Sequence, residues 1–222
     1  LQLVRSHVPD IIVSDVMMPR MNGYELCKTI KEDIAISHIP VILLTAKDDK
    51  QSLISGYKNG ADGYLSKPFE VEMLMELIRN RLKNREYTKK RYLNAGLIPT
   101  PEESTISLTD ETFLIKLNSI IQENIDNTNL GIQFICQEVG LGRSSLYNKL
   151  KALTGMGANE YISKLRIEKA ITLISGTDMP FSEIAEKTGF TTPSYFSTTF
   201  KQYTGETPSQ YKERKKKGLT DQ

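Results

Sequence analysis

The chain has no tryptophan, two cysteines and two histidines. Cys27 and Cys136 lie in different segments, so no disulfide framework and no Cys/His metal spacing is present, which fits a reducing compartment. His7 and His38 are isolated from each other and are expected at the surface. Long apolar runs are also missing. Stretches such as Val41-Ile42-Leu43-Leu44 are too short to cross a bilayer or to form the core of a signal peptide. The expectation is a soluble, cytoplasmic segment with no membrane contact. Neither sign of charge dominates, with 29 Lys+Arg against 27 Asp+Glu and a formal net of +2.

What is present falls into two halves. Ile11-Ile12-Val13 and Val41-Ile42-Leu43-Leu44 are β-rich runs, and Gly63-Tyr64-Leu65 is a weaker third. Tyr24 to Glu32 and Val71 to Leu82 carry apolar residues at helical spacing. Strand and helix alternate over short connections, which predicts a parallel sheet covered on both faces. Residues 84–108 lose that rhythm, and Gly96-Leu97-Ile98-Pro99-Thr100-Pro101 breaks any helix, so a linker is expected there. Thr109 is the expected N-cap of the next helix, followed by the i, i+4 stripe Phe113, Leu117, Ile121 and Ile125. From there on, only helices are predicted. The pattern thus predicts an α/β domain with a parallel sheet (1–83), a linker (84–108), an all-α domain (109–215) and a basic tail (216–222).

Charge follows this division. Residues 1–83 carry 11 basic and 11 acidic side chains, a net of zero, whereas 127–217 carry 13 and 8, a net of +5. A basic excess on the helical half suits phosphate contact, although ordinary surface charge also accounts for it.

In the first half, three chemistry-bearing residues close three strands. Asp15 follows Ile11 to Ser14, Thr45 follows Val41 to Leu44, and Lys67 follows the third strand. Open α/β sheets place their ligands at the C-terminal ends of strands. A carboxylate there can attack a phosphoryl group, lysine can neutralise its oxygens, and threonine can hydrogen-bond one. Singly, each residue has a plainer role: a turn for Asp15, a helix cap for Thr45, a surface cation for Lys67.

The run Pro9-Asp10-Ile11-Ile12-Val13-Ser14-Asp15-Val16-Met17-Met18-Pro19-Arg20-Met21-Asn22-Gly23, with Leu44-Thr45-Ala46 and Lys67-Pro68-Phe69, resembles the receiver domains of two-component response regulators. The resemblance implies that Asp15 accepts a phosphoryl group from a histidine kinase or phosphotransfer domain. It implies Mg²⁺ held by Asp15 and the backbone carbonyl of Met17, with Thr45 and Lys67 on the phosphoryl oxygens. Tyr64 matches the family's aromatic switch, and Lys67-Pro68 is cis in the family. One departure stands out. Receivers carry an acidic pair after their first strand, well upstream of the phosphoacceptor, yet only fourteen residues precede Asp15 here. The resemblance thus implies an incomplete flavodoxin-like α/β receiver, without its first strand, first helix and second strand, that leaves the Ile11–Val13 strand with an unpaired edge. A piece of a longer protein is the expected explanation, and a degenerate receiver the alternative.

In the second half, two stretches echo each other: Ser144-Ser145-Leu146-Tyr147-Asn148-Lys149-Leu150-Lys151-Ala152-Leu153-Thr154-Gly155 and Ser194-Tyr195-Phe196-Ser197-Thr198-Thr199-Phe200-Lys201-Gln202-Tyr203-Thr204-Gly205. Each follows a short amphipathic run and a glycine, which predicts helix, turn and helix, used twice. A generic helical bundle would also show such geometry. Arg143, Ser144, Tyr147, Asn148 and Lys151 form the outward face of the first candidate recognition helix. Thr192, Ser194, Tyr195, Ser197, Thr198 and Lys201 form that of the second, with Thr192 also its N-cap. Leu165-Arg166-Ile167-Glu168-Lys169-Ala170, Gly189-Phe190, Tyr195-Phe196 and Gly205-Glu206-Thr207-Pro208 are similar to the AraC/XylS-type DNA-binding domain. That resemblance implies two helix-turn-helix units in successive major grooves. Gly142 stands where the family often has a capping serine.

The sequence therefore points to a transcription regulator controlled by aspartyl phosphorylation, acting on double-stranded DNA as a homodimer. The arrangement matches the C-terminal part of hybrid sensors as well as free-standing regulators. Two alternatives are an enzyme using Asp15 for phosphoryl transfer to a small substrate, and a DNA-binding module whose receiver remnant serves only in dimerisation.

Overall fold

The computed structural model describes residues 1–46, 60–94 and 107–218. Residues 95–106 of the expected linker and 219–222 of the basic tail lie outside them. Two compact units are present, one of residues 1–115 with 141–156, the other of 116–140 with 157–222.

The first unit is built on a parallel sheet of β1 (Ile12–Asp15), β2 (Val41–Ala46) and β3 (Gly63–Lys67), in the order β1-β2-β3. Ile12 pairs with Val41 and Asp15 with Leu44, while Leu43 pairs with Tyr64 and Ala46 with Lys67. Among the described strands β2 is central, which is why Val41, Ile42, Leu43 and Thr45 are buried. β1 lies at the sheet edge, as the sequence leads one to expect, with Val13 exposed on it. Alternation sends Ile12, Val41 and Leu43 to one face, where they pack with Val16, Cys27, Ile30, Ile36 and Ile39. Burying Ile30 or Leu43 completely contributes about 1.5–3 kcal/mol each.

Among the described residues, three helices accompany the sheet: α1 (Gln2–His7), α2 (Gly23–Glu32) and α3 (Val71–Asn94). Leu1, Val4 and Val8 of the α1 segment pack on the cluster around Ile30. Helix α2 starts with a capping box, Asn22 accepting from the Glu25 N–H while the Glu25 carboxylate accepts from the Asn22 N–H. The apolar stripe predicts an end for α3 near Leu82, but the helix continues to Asn94. Beyond Leu82 its residues are good helix formers without an apolar stripe, and Lys89 pairs with Glu86 one turn back.

The same unit includes the start of α4 (Leu108–Glu123) and α6 (Arg143–Thr154). Two expectations are corrected here. Ser107, not Thr109, caps α4: its Oγ accepts from the Asp110 N–H at 3.2 Å, while the Thr109 hydroxyl donates to the Lys31 carbonyl. His38 is not a surface residue. It sits between Ser37 and Ile39, just before β2, and is buried.

The second unit holds the rest of α4 with α5 (Ile132–Val139), α7 (Ala158–Gly176), α8 (Phe181–Lys187), α9 (Pro193–Thr204) and α10 (Pro208–Lys216). Its core joins Ile167, Ala170 and Ile174 of α7 to Ile184 and Ala185 of α8, Phe196 and Phe200 of α9, and Tyr211 of α10. Phe190, Phe196, Phe200 and Tyr211 stack edge-on or tilted in sequence, with centroids 5.3–5.7 Å apart. Thr192 caps α9, accepting from the Tyr195 N–H at 3.1 Å, and Pro193 opens it; Thr207, Gln210 and Pro208 do the same for α10.

Gly189, at the turn after α8, has φ +71°, and a Cβ there would lie 2.3 Å from the Ile125 carbonyl oxygen and 2.7 Å from Arg166 Nη2. Arg166 is occupied in holding that segment, donating to the Ile125 and Asn127 carbonyls. Gly205 has φ +82° with nothing within 4 Å of a Cβ. Gly205→Ala is expected to cost only the left-handed backbone penalty, about 1–2 kcal/mol. Gly189→Ala adds a collision with backbone and is expected to cost about 3–4 kcal/mol. Denaturant titration of the two variants measures the difference; equal losses would show that the turn yields.

Candidate functional site

Asp15 ends β1, Lys67 ends β3, and Thr45 is the penultimate residue of β2, so all three expected residues reach one end of the sheet. Asp15 Oδ2 accepts from Lys67 Nζ, and Oδ1 accepts from the Met17 N–H at 3.1 Å. The Lys67 hydrogen bond, followed by that of the Met17 N–H, holds the Asp15 carboxyl below its ordinary value. It is therefore a full carboxylate at neutral pH, the form a nucleophile needs. Thr45 is buried in the sheet. The Lys67-Pro68 peptide is cis. Tyr64 lies on β3, half-buried against the α2-side core.

A feature the motif-based reading missed stands behind Asp15. Gly23, the first residue of α2, donates its N–H to the Val16 carbonyl at 2.9 Å. A Cβ at Gly23 would lie 2.4 Å from the Asp15 carbonyl oxygen. Only glycine lets the capped start of α2 press against the strand end, and the Asn22…Glu25 capping-box spacing was the signal for it.

For magnesium, Asp15 and the Met17 carbonyl are the expected donors. Mg²⁺ takes six oxygens in a strict octahedron, usually with one or two carboxylates. Asp15 is a single carboxylate already paired with Lys67, and no cluster of three or more potential ligands occurs among the described residues. This donor set does not by itself fit the ion.

In the helical half, α6 exposes Arg143, Ser144, Tyr147 and Lys151, and leaves Asn148 half-buried. On α9, Ser194, Tyr195, Thr198 and Lys201 are exposed, Thr192 just before it is exposed, and Ser197 is half-buried. The Thr192 hydroxyl is occupied as the cap, and the Thr198 hydroxyl donates back to the Ser194 carbonyl at 3.0 Å. Tyr195 stands edge-on to Phe190 at 5.7 Å, which orients its ring. Gly142 starts α6 with no side-chain cap. Lys149, in the middle of α6, is fully buried and donates to Asp110 and to Ser37.

Residues 1–79 match the response regulator receiver domain, and residues 135–214 match a helix-turn-helix domain family. Over 162 residues the chain is 32% identical to the probable transcriptional regulator ycf29 of Pyropia yezoensis, covering 68% of this chain and 73% of that protein. The chain belongs to the response-regulator family. This response regulator couples its receiver to an AraC-type helix-turn-helix domain. It is also 42% identical over 214 residues to Histidine kinase P4 of Formosa agariphila, covering 96% of this chain but 16% of that protein. Among solved structures, the C-terminal domain of the two-component response regulator yesN from Fusobacterium nucleatum is 31% identical, covering 43% of this chain and 93% of that one, with a TM-score of 0.41. Both matched domains are regulatory, and no described helix is long and apolar enough to cross a membrane.

Proposed function

We propose that the chain is the output end of a two-component phosphorelay, a sequence-specific DNA-binding regulator switched by phosphorylation of Asp15. The observation that carries this reading is the convergence of Asp15, Thr45 and Lys67 at one sheet end, in one chain with an AraC-type DNA-binding domain. A histidine kinase or phosphotransfer domain is the donor. An Asp15 carboxylate oxygen attacks the phosphorus of a phosphohistidine, the N–P bond breaks as the O–P bond forms, and the imidazole leaves carrying a proton. Lys67 neutralises the arriving oxygens and the Thr45 hydroxyl donates to one. Mg²⁺ is the family's cofactor, for which Asp15 and the Met17 carbonyl of this segment would serve as ligands. The phosphorylated state, read out around Tyr64, favours a homodimer on paired DNA sites in the cytoplasm of a bacterium.

On DNA, Arg143, Ser144, Tyr147, Asn148 and Lys151 serve one major groove, and Thr192, Ser194, Tyr195, Ser197, Thr198 and Lys201 the next. Two grooves read on one face lie about 10 base pairs apart, centre to centre. Asn148→Ala is expected to relax base preference at one position, at a cost of about 1–3 kcal/mol. Lys201→Ala is expected to weaken all sequences alike and to flatten the salt dependence by about one unit of slope. Footprinting on a selected site, with salt titrations of both variants, checks this. Protection confined to one groove would reduce the second motif to a structural partner of the first.

A further inference from the structure

We propose that the cavity walled by His38, Arg81 and Arg85 in the first unit binds a small hydroxylated organic anion through its carboxylate or phosphate oxygens. The cavity measures about 290 Å³, at the small end for a ligand site. Its charges do not cancel. Lys31 pairs with Asp62 at 2.7 Å and also donates to the Ser37 and Ile39 carbonyls. Asp110 is taken by Lys149, Ser37 and Ser107. That leaves two guanidinium groups. Among the described residues, Arg85 reaches only the exposed Asp10, its Nη1 lying 3.3 Å from both the carbonyl and Oδ1, and no ion pair involves Arg81. The Nε atoms of both arginines are buried without a hydrogen-bond partner among the described residues.

His38 supplies the independent observation. It is 7% exposed, lines the cavity, and neither ring nitrogen has a partner among the described residues. A buried polar group left unmatched is costly, so such groups point to a partner that the chain itself does not provide. Burial, followed by the charge of Lys149, pushes the His38 pKa down to about 3, so the ring is neutral at physiological pH. A neutral imidazole offers one N–H and one lone pair. The fitting ligand therefore brings anionic oxygens for the arginines and the imidazole N–H, and a hydroxyl for the other ring nitrogen. Paired arginines are the side chains best shaped for carboxylate or phosphate oxygens. A duplex phosphate backbone would not enter a cavity of this size.

The test is calorimetric titration of the 222-residue chain with glycerol 3-phosphate, inorganic phosphate and glycerol, with sodium chloride at matched ionic strength. The expected result is saturable, sub-millimolar binding of glycerol 3-phosphate, weaker binding of phosphate and none of glycerol. Arg81→Gln is expected to weaken binding at least about tenfold, equivalent to about 1.4 kcal/mol. Lys83→Gln, at an exposed position of the same helix, is expected to leave it unchanged. The His38 imidazole resonances of the unaltered chain are expected to shift on binding, a readout that does not depend on any variant folding. Heats equal to the salt control would mean that the cavity holds water only, and would overturn the proposal. So would binding that leaves the His38 resonances in place or that survives Arg81→Gln. None of these readouts involves phosphorylation of Asp15 or DNA, so their failure leaves the regulatory reading standing.

Discussion

Asp15→Asn is expected to abolish phosphoryl labelling completely. Asp15 is the carboxylate at the sheet end that is ionised at neutral pH and touches the lysine able to neutralise incoming oxygens. The amide keeps its size and the Met17 N–H contact, but has no anionic oxygen to attack phosphorus and forms no acyl phosphate. The measurement is labelling by acetyl phosphate with Mg²⁺, in a chain extended at its N-terminus to carry a receiver's acidic pair. Equal labelling of the two proteins would remove Asp15 from its role. The 222-residue chain alone is expected to label poorly, because one carboxylate does not make a magnesium site. Efficient labelling there would overturn that account of the donor set.

Removing Asp110 is the substitution expected to damage the fold most. The Lys149 side chain is 0% exposed and that of Asp110 4%. Lys149 Nζ donates to Asp110 Oδ1 and, at 2.7 Å, to Ser37 Oγ; Ser37 and Ser107 donate to the two Asp110 oxygens, and the Phe113 ring lies 4.9 Å from the ammonium. Burial alone would raise the Asp110 pKa, but the Lys149 charge and these three donors more than reverse it, so the carboxyl sits below its ordinary value. Asp110→Ala leaves a buried ammonium without its counter-ion, at a cost of about 3–5 kcal/mol. For a chain of this size that is a loss of about 10 °C in Tm. Replacing the pair together, Asp110→Leu with Lys149→Met, is expected to restore most of the loss, because no unpaired charge remains. A depressed folded-state pKa contributes stability that is complete above the unfolded value, near 3.9, and is lost as pH falls through the folded value. The Tm difference between the native chain and Asp110→Ala is therefore expected to shrink below about pH 4. A loss under about 1 kcal/mol at neutral pH would mean that water reaches Lys149.

The gathering of polar residues at one end of the sheet was legible because a parallel sheet aligns its strand ends. Three short β-rich runs, each followed by a polar residue, sufficed to bring Asp15, Thr45 and Lys67 together. The caps at Thr192 and Thr207 were legible for a similar reason, since capping is a local bond over three residues. What escaped depends on distant partners or on neutral propensity. Lys149 looks like its neighbours in α6, and its burial rests on Asp110 and Ser37, 39 and 112 residues away. His38 carries no signal of burial beyond the apolar residues that follow it. Helix α3 outran its apolar stripe because charged helix formers continue a helix without a core to face. Ser107 took the cap expected at Thr109, because Asp110 at the third position returns its bond.

The regulatory account is tested most directly by DNA affinity before and after phosphorylation, measured on one selected paired site with a chain carrying the complete acidic site. Acetyl phosphate with Mg²⁺ is expected to tighten binding of the unaltered protein about five- to tenfold or more, the range of ordinary coupling free energies, and to leave Asp15→Asn unchanged. Identical affinities with and without phosphorylation, on DNA that both proteins bind, would contradict the account and leave a constitutive DNA-binding module.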